Sequence, residues 1–181
     1  PGENRMKIMM IGDIVGKGGR KAVIDLLPKL RHEYGCHFCI ANGENMAGGA
    51  GMTAKCVNSL VHAELDVITG GDHMWDQKEF VDAINTFDHV LRPTNVNPLQ
   101  PGRGHGIFKA ANGVNVGVIC LQGRALMSKS ADNPFLAADR AVKEIRKITP
   151  VIVVDIHAEA TSEKTAMGRY LDGRVTAVLG T

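Results

Sequence analysis

The chain has 181 residues, 44% hydrophobic and 22% charged, with a formal net charge of +2. That length fits one domain and supports a substantial core, while the near-neutral balance gives no broad basic face for nucleic acid. Aromatics at 4% are too few for a single-strand stacking platform, and no apolar run approaches the roughly 18 residues of a membrane span.

"PGENRMKIMMIGD" lacks a signal-peptide layout, and Pro1 to Arg5 reads as a disordered leader or expression remnant. "KIMMIGDIV" (Lys7 to Val15) reads as a buried first strand. "GRKAVIDLLPKLRHEYG" carries Val23, Leu26, Leu27 and Leu30 on one helical face, with Gly35 as its stop and a kink expected at Pro28. "HFCIANGE" is a second strand, and "TAKCVNSLVHAEL" a helix capped by Thr53. "DVITGGD" is a third strand, "DQKEFVDAINTF" a third helix and "HVLRPTN" a short fourth strand.

Asn95 to Gly106 is loop by its Pro, Gly and Asn content. "GIFKAANGVNVGVICLQG" is a hairpin turning at "ANG". A helix from Pro134 to Lys147 follows, capped by Asn133, then the β-branched strand "PVIVVDIHAE", a short helix "SEKTAMGRYLDG" and a last strand "VTAVLGT". Alternating strands and helices predict an α/β fold with parallel strands.

Four cysteines without a secretory signal suggest reduced thiols in a cytosol. "CHFC" (Cys36 to Cys39) has no second pair to complete a zinc site and lies inside an apolar run, so both cysteines read as core-strand residues. "GDIVGKGGR" matches neither dinucleotide nor P-loop patterns, although its amides could assist a phosphate.

The informative pattern is positional. Strand one is followed by Asp13, strand two by Asn42, Glu44 and Asn45, strand three by Asp72 and His73, and the β-branched strand ends in Asp155 and His157. In an open α/β sheet, ligands bind beyond the carboxyl ends of the strands. Carboxylates, amides and imidazoles gathered there form a mixed O/N donor set suited to Mn, Fe or Zn. Each residue also has a plain structural role: Asp13 as a helix cap, "NGEN" as a turn, His157 as a hydrogen-bonded core histidine. Asp155 should face the same way as His157, where it could support it.

"IGDIVGKGGR", "NGENMAGGAGMT", "GGDHMWDQKE", "RPTNVNP", "LQGR", "DNPFLAAD" and "DIHAEATSEKTAMG" together resemble the YmdB-type branch of the calcineurin-like metallophosphoesterases, from about Met6 to Thr181. The resemblance implies a metallophosphoesterase-type α/β sandwich over 6–181, with a dinuclear metal site at the C-terminal ends of the strands. It implies a bacterial, cytoplasmic phosphodiesterase that hydrolyses 2′,3′-cyclic nucleotides or related small phosphoesters. Asp13 and Asn45 would serve the first metal, Glu44 would bridge, Asp72 and His157 would bind the second, and His73 would be the general acid. Iron or manganese is implied, with zinc or magnesium as alternatives. Arg124 in "LQGR" and Lys164 in "SEK" could face phosphate or remain solvated surface charges.

The chain departs from the family twice. Asp72 stands where the family carries Asn. In the family "VVGT" is followed by a His-x-His segment, one ligand for each metal, and by about a third more domain, whereas this sequence stops at Gly180-Thr181. A sandwich incomplete at that end should expose apolar edge strands and could self-associate. No membrane partner is expected, nor direct nucleic-acid binding. The alternative is a regulatory protein that keeps the site but acts by binding RNA or protein.

Overall fold

The structure, a computed structural model, describes residues 5–181; most of the expected leader, 1–4, lies outside the described residues. The alternation of apolar residues along each strand sorts side chains into two faces. In β2 (Phe38–Asn42), Phe38 and Ile40 pack into one cluster and Cys39 and Ala41 into another. Among the described residues the strands form two four-stranded sheets. The first is parallel throughout, in the order β1 (Ile8–Ile11), β2, β3 (Val67–Thr69), β4 (Val90–Leu91). The second pairs β5 (His105–Lys109) antiparallel to β6 (Asn115–Gln122), then continues parallel through β7 (Ile152–His157) and β8 (Ala177–Gly180).

Phe38, Ile40, Val67 and Leu91 of one sheet meet Val116, Val118, Cys120 and Val153 of the other, so the sheets stack face to face. The outer face of the first sheet is covered by α1 (Gly16–Tyr34), α2 (Ala54–His62) and α3 (Lys78–Ala83), through Val23, Leu27, Val57, Leu60 and Phe80. The outer face of the second is covered by α4 (Pro134–Ile145) and α5 (Thr161–Tyr170), through Ala137, Ala141, Ile145 and Met167. The α/β sandwich is as expected.

The caps match the sequence chemistry. Thr53 Oγ1 accepts the Cys56 N–H at 3.2 Å, Asn133 Oδ1 accepts the Phe135 N–H at 2.9 Å, and Gly35 ends α1 at φ +62°. Elsewhere the boundaries move. β1 ends at Ile11 because the chain beyond it turns across the end of β2 and the turn that follows: Ile14 N–H donates to the Asn42 carbonyl and Gly16 N–H to the Asn45 carbonyl, both at 2.9 Å. α1 begins at Gly16 and runs through Pro28 to Tyr34. The Gly16 amide is thereby engaged in the fold, and the Gly19 amide donates to the Val15 carbonyl.

Cys39 is a buried strand residue, but Cys36 is not a strand residue. It sits half-buried in the connection before β2, because the ladder starts only at Phe38. Burial pushes the Cys39 thiol up to about 11 and raises Cys120 strongly. In the folded protein at pH 8, iodoacetamide should therefore label Cys36 well before Cys39 and Cys120, with all four reacting in urea. Mass spectrometry of the time course checks this, and early labelling of Cys120 would contradict the burial.

Candidate metal centre and the residues around it

Four chain segments deliver polar side chains to one end of the sandwich. Asp13 comes from the β1–α1 turn, Glu44 and Asn45 from the turn after β2, Asp72 and His73 from the turn after β3, and His157 from the last position of β7. His157 Nε2 lies 3.0 Å from Glu44 Oε1 and 3.7 Å from Asp72 Oδ1, while its Nδ1 lies 3.7 Å from Asp13 Oδ1. Asn45 Nδ2 donates to Glu44 Oε1 at 3.0 Å and reaches Asp13 Oδ2 at 3.5 Å. The five residues expected to serve metals are thus brought together. Among the described residues, Asp13, Glu44 and His157 could hold a metal ion, with ligand atoms all within 4.8 Å of one another.

The electrostatics favour a cation. Burial raises the Asp13 carboxyl and the Glu44 charge adds to it, against the pull of His157. Burial lowers His157, but the hydrogen bond and charge of Glu44 outweigh it, and the imidazole ends raised. Three carboxylates with one amide and one buried imidazole form a mixed oxygen and nitrogen donor set of the kind that can hold a metal ion.

His73 is half-exposed, and its Nδ1 lies 2.7 Å from Asp76 Oδ2. That hydrogen bond raises its pKa, with Asp72 and Glu44 contributing. Asp76 in turn accepts from Lys129 Nζ. Asp72 is opposed by burial, but Ser128 donates to its Oδ2 through both backbone N–H, at 3.1 Å, and hydroxyl, and Asp72 ends lowered. A neighbouring loop thus holds the Asp72 carboxyl below its ordinary range.

Behind the cluster sits Asp155, fully buried and facing the same side as His157. It accepts from Thr69 Oγ1 at 2.5 Å, Thr181 Oγ1 at 2.9 Å and Asn42 Nδ2 at 3.3 Å, and Thr181 Oγ1 lies 3.1 Å from His157 Nδ1. Lys164 lies near enough to Asp13 to lower its carboxyl, its stem passing over Gly180. Arg124 differs: it lines a cavity of about 490 Å³ with Ser130, Phe135 and Glu163.

Sequence reasoning missed Thr69, Asp76, Ser128, Lys129 and Thr181. Asp76 carried a signal, three residues after His73, a spacing that brings side chains together within one turn. Thr69 carried another, in register with inward-facing Val67. Ser128 and Lys129 lie in a polar loop whose partners are more than fifty residues away in sequence and carried none.

Gly71 is the tightest backbone approach. A Cβ there would fall 1.9 Å from Glu44 Oε2 and 2.4 Å from His157 Cδ2, whereas one at Gly12 meets nothing within 4 Å. Gly71→Ala should destabilise by about 1–3 kcal/mol through overpacking, and Gly12→Ala by no more than about 0.5 kcal/mol, in urea titrations. Equal effects would show that Glu44 and His157 are not rigidly seated.

The family model described as "YmdB-like protein" matches residues 9–181. The chain is 48% identical over 176 residues to the 2′,3′-cyclic-nucleotide 2′-phosphodiesterase of Bacillus subtilis (strain 168), covering 97% of this chain and 66% of that protein. It is 36% identical to the "Putative phosphatase/phosphodiesterase MG246" of Mycoplasma genitalium, covering 98% and 64%. Among solved structures it matches a hypothetical protein from Thermus thermophilus at TM-score 0.88 and 39% identity, covering 97% of this chain and 67% of that one. A novel phosphatase from Mycoplasma pneumoniae matches at TM-score 0.88 and 30% identity, covering 98% and 64%. The chain therefore spans slightly under two thirds of the length of the curated relatives it matches. By the extent of the family match, which runs through every loop that bears on the acidic cluster, the chain belongs to the YmdB-like protein family.

Proposed function

We propose that this chain carries the catalytic site of a metal-dependent phosphodiesterase acting on 2′,3′-cyclic nucleotides or related small phosphoesters. The observation that carries the reading is the convergence of Asp13, Glu44, Asn45, Asp72 and His157 from four segments, with His73 at its edge held by Asp76. The activity for which the Bacillus subtilis relative is named supports the substrate class.

Asp13 and Asn45 would hold one metal ion, Asp72 and His157 a second, and Glu44 would be shared between them. When bound, such ions neutralise phosphate charge and lower the pKa of a coordinated water. Glu44 suits the shared position because a buried carboxylate offsets the repulsion between two cations. Asn45 directs its amide nitrogen at Glu44 and Asp13, keeping both carboxylates turned toward the centre. The Thr181 hydroxyl fixes His157 at Nδ1, leaving Nε2 toward Glu44 and Asp72. Lys164 adds positive charge beside Asp13, where an anionic substrate would lie.

His73 supplies the proton to the leaving oxygen. Asp76 occupies Nδ1, so the transferable proton sits on Nε2. A ribose oxygen is a poor leaving group, and protonation as it departs contributes about 10²–10⁴ in rate. The four free thiols suit a cytoplasmic setting, and among the described residues no helix is long and apolar enough to cross a membrane.

Elemental analysis together with hydrolysis of 2′,3′-cyclic AMP tests the reading. Purified protein should carry transition metal and turn over. His73→Ala should keep its metal and lose about 10²–10⁴ in kcat on the ribose ester, with a much smaller loss on bis(p-nitrophenyl) phosphate, whose leaving group needs no proton. Equal losses on both substrates would remove His73 from the acid role. Absence of both metal and turnover would overturn the reading itself.

A further inference from the structure

The loop after β6 has two faces. On one, Gly123 donates its N–H to the His157 carbonyl at 2.8 Å, and Ser128 bonds to Asp72. On the other, Arg124, Ala125, Ser130 and Ala131 line the cavity of about 490 Å³ together with Phe135 and Glu163. Cavity and acidic cluster thus share this loop as a common wall.

The lining is chemically specific. Glu163 accepts the Arg124 N–H at both oxygens, at 2.9 and 3.0 Å, and the Ala125 N–H at 3.0 Å. A carboxylate has about four acceptor positions, so acceptor capacity remains after the loop is held. Arg124 is held through its backbone N–H, is exposed, and is among the residues that line the cavity. The Phe135 ring is braced edge-on by Tyr170 at 5.1 Å between centroids.

We propose that this cavity is a nucleobase subsite that selects guanine, resting on the phosphodiesterase reading for the placement of the phosphate at the neighbouring cluster. A guanidinium forks onto two adjacent acceptors, which among the purines are N7 and O6 of guanine. The remaining acceptor of Glu163 takes an N–H from the opposite edge of the same base. Phe135, Ala125 and Ala131 supply the apolar flank against which its ring stacks. Adenine presents an amino group where guanine presents O6, setting donor against donor.

Isothermal titration calorimetry with guanosine 3′-monophosphate, adenosine 3′-monophosphate and inorganic phosphate tests this on the wild type, Arg124→Ala and Arg124→Lys. The guanosine compound should bind about tenfold or more tighter than the adenosine compound. Arg124→Ala should erase that preference, and Arg124→Lys should weaken it, because an ammonium donates to the same acceptors without the planar fork. Equal affinity for the two nucleotides in the wild type would overturn the proposal. So would an Arg124→Ala loss shared equally by nucleotides and inorganic phosphate, which would make Arg124 a phosphate ligand. Hydrolysis of bis(p-nitrophenyl) phosphate, which has no base, separates the two readings. Guanine selectivity without hydrolysis leaves the subsite standing and removes the phosphodiesterase. Hydrolysis without selectivity does the reverse.

Discussion

One buried carboxylate ties the two halves of this fold together. Asp155, on β7 of the second sheet, has no exposed surface and accepts hydrogen bonds from Asn42 and Thr69 of the first sheet. A carboxylate in that position is expensive unless donors surround it. Here burial raises its pKa, and Thr69, Thr181 and Asn42 pull against that rise. The inner layer is otherwise apolar, built from Phe38, Ile40, Val118 and Val153. The polar knot therefore sets how the sheets register at the end where the loops gather. Through Thr181 it also reaches His157, so the alignment of the sheets and the seating of one candidate ligand share the same atoms.

The acidic cluster shows the opposite balance. Asp13, Glu44 and Asp72 approach one another around a single imidazole, and Asn45 turns its amide nitrogen toward Glu44 and Asp13. Like charges so close are unfavourable: burial raises the Asp13 carboxyl, and the Glu44 charge adds to that rise. Asp72 escapes the trend because Ser128 supplies two donors. A divalent cation offsets this repulsion, which is the physical reason the donor set fits one.

Much of this was legible in the sequence. The apolar alternation of "HFCIAN" and "PVIVVDIH" separates the inner from the outer face, and with it the shared direction of Asp155 and His157. Helix caps at Thr53 and Asn133 obey local rules that need no tertiary context. Strand boundaries were less legible, because an apolar run continues past the last ladder bond: "KIMMIGDIV" supplies only Ile8–Ile11 to β1. Least legible were contacts between loops. Ser128 on Asp72 and Lys129 on Asp76 join a polar segment to a turn far upstream. Propensity and periodicity describe neighbours along the chain and carry no information about such pairs. Cys36 shows the same limit over one residue pair, since a C-x-x-C spacing does not reveal where a ladder begins.

Asp76 uses both of its oxygens, one on His73 Nδ1 and the other on Lys129 Nζ. A half-exposed imidazole would ordinarily sample several rotamers, and ordering a side chain at the moment of binding costs roughly 0.5–1.5 kcal/mol. With the ring pinned at one nitrogen, and the pin itself held by an ammonium, that entropy is surrendered during folding. An encounter with substrate then meets a histidine that already has a fixed orientation.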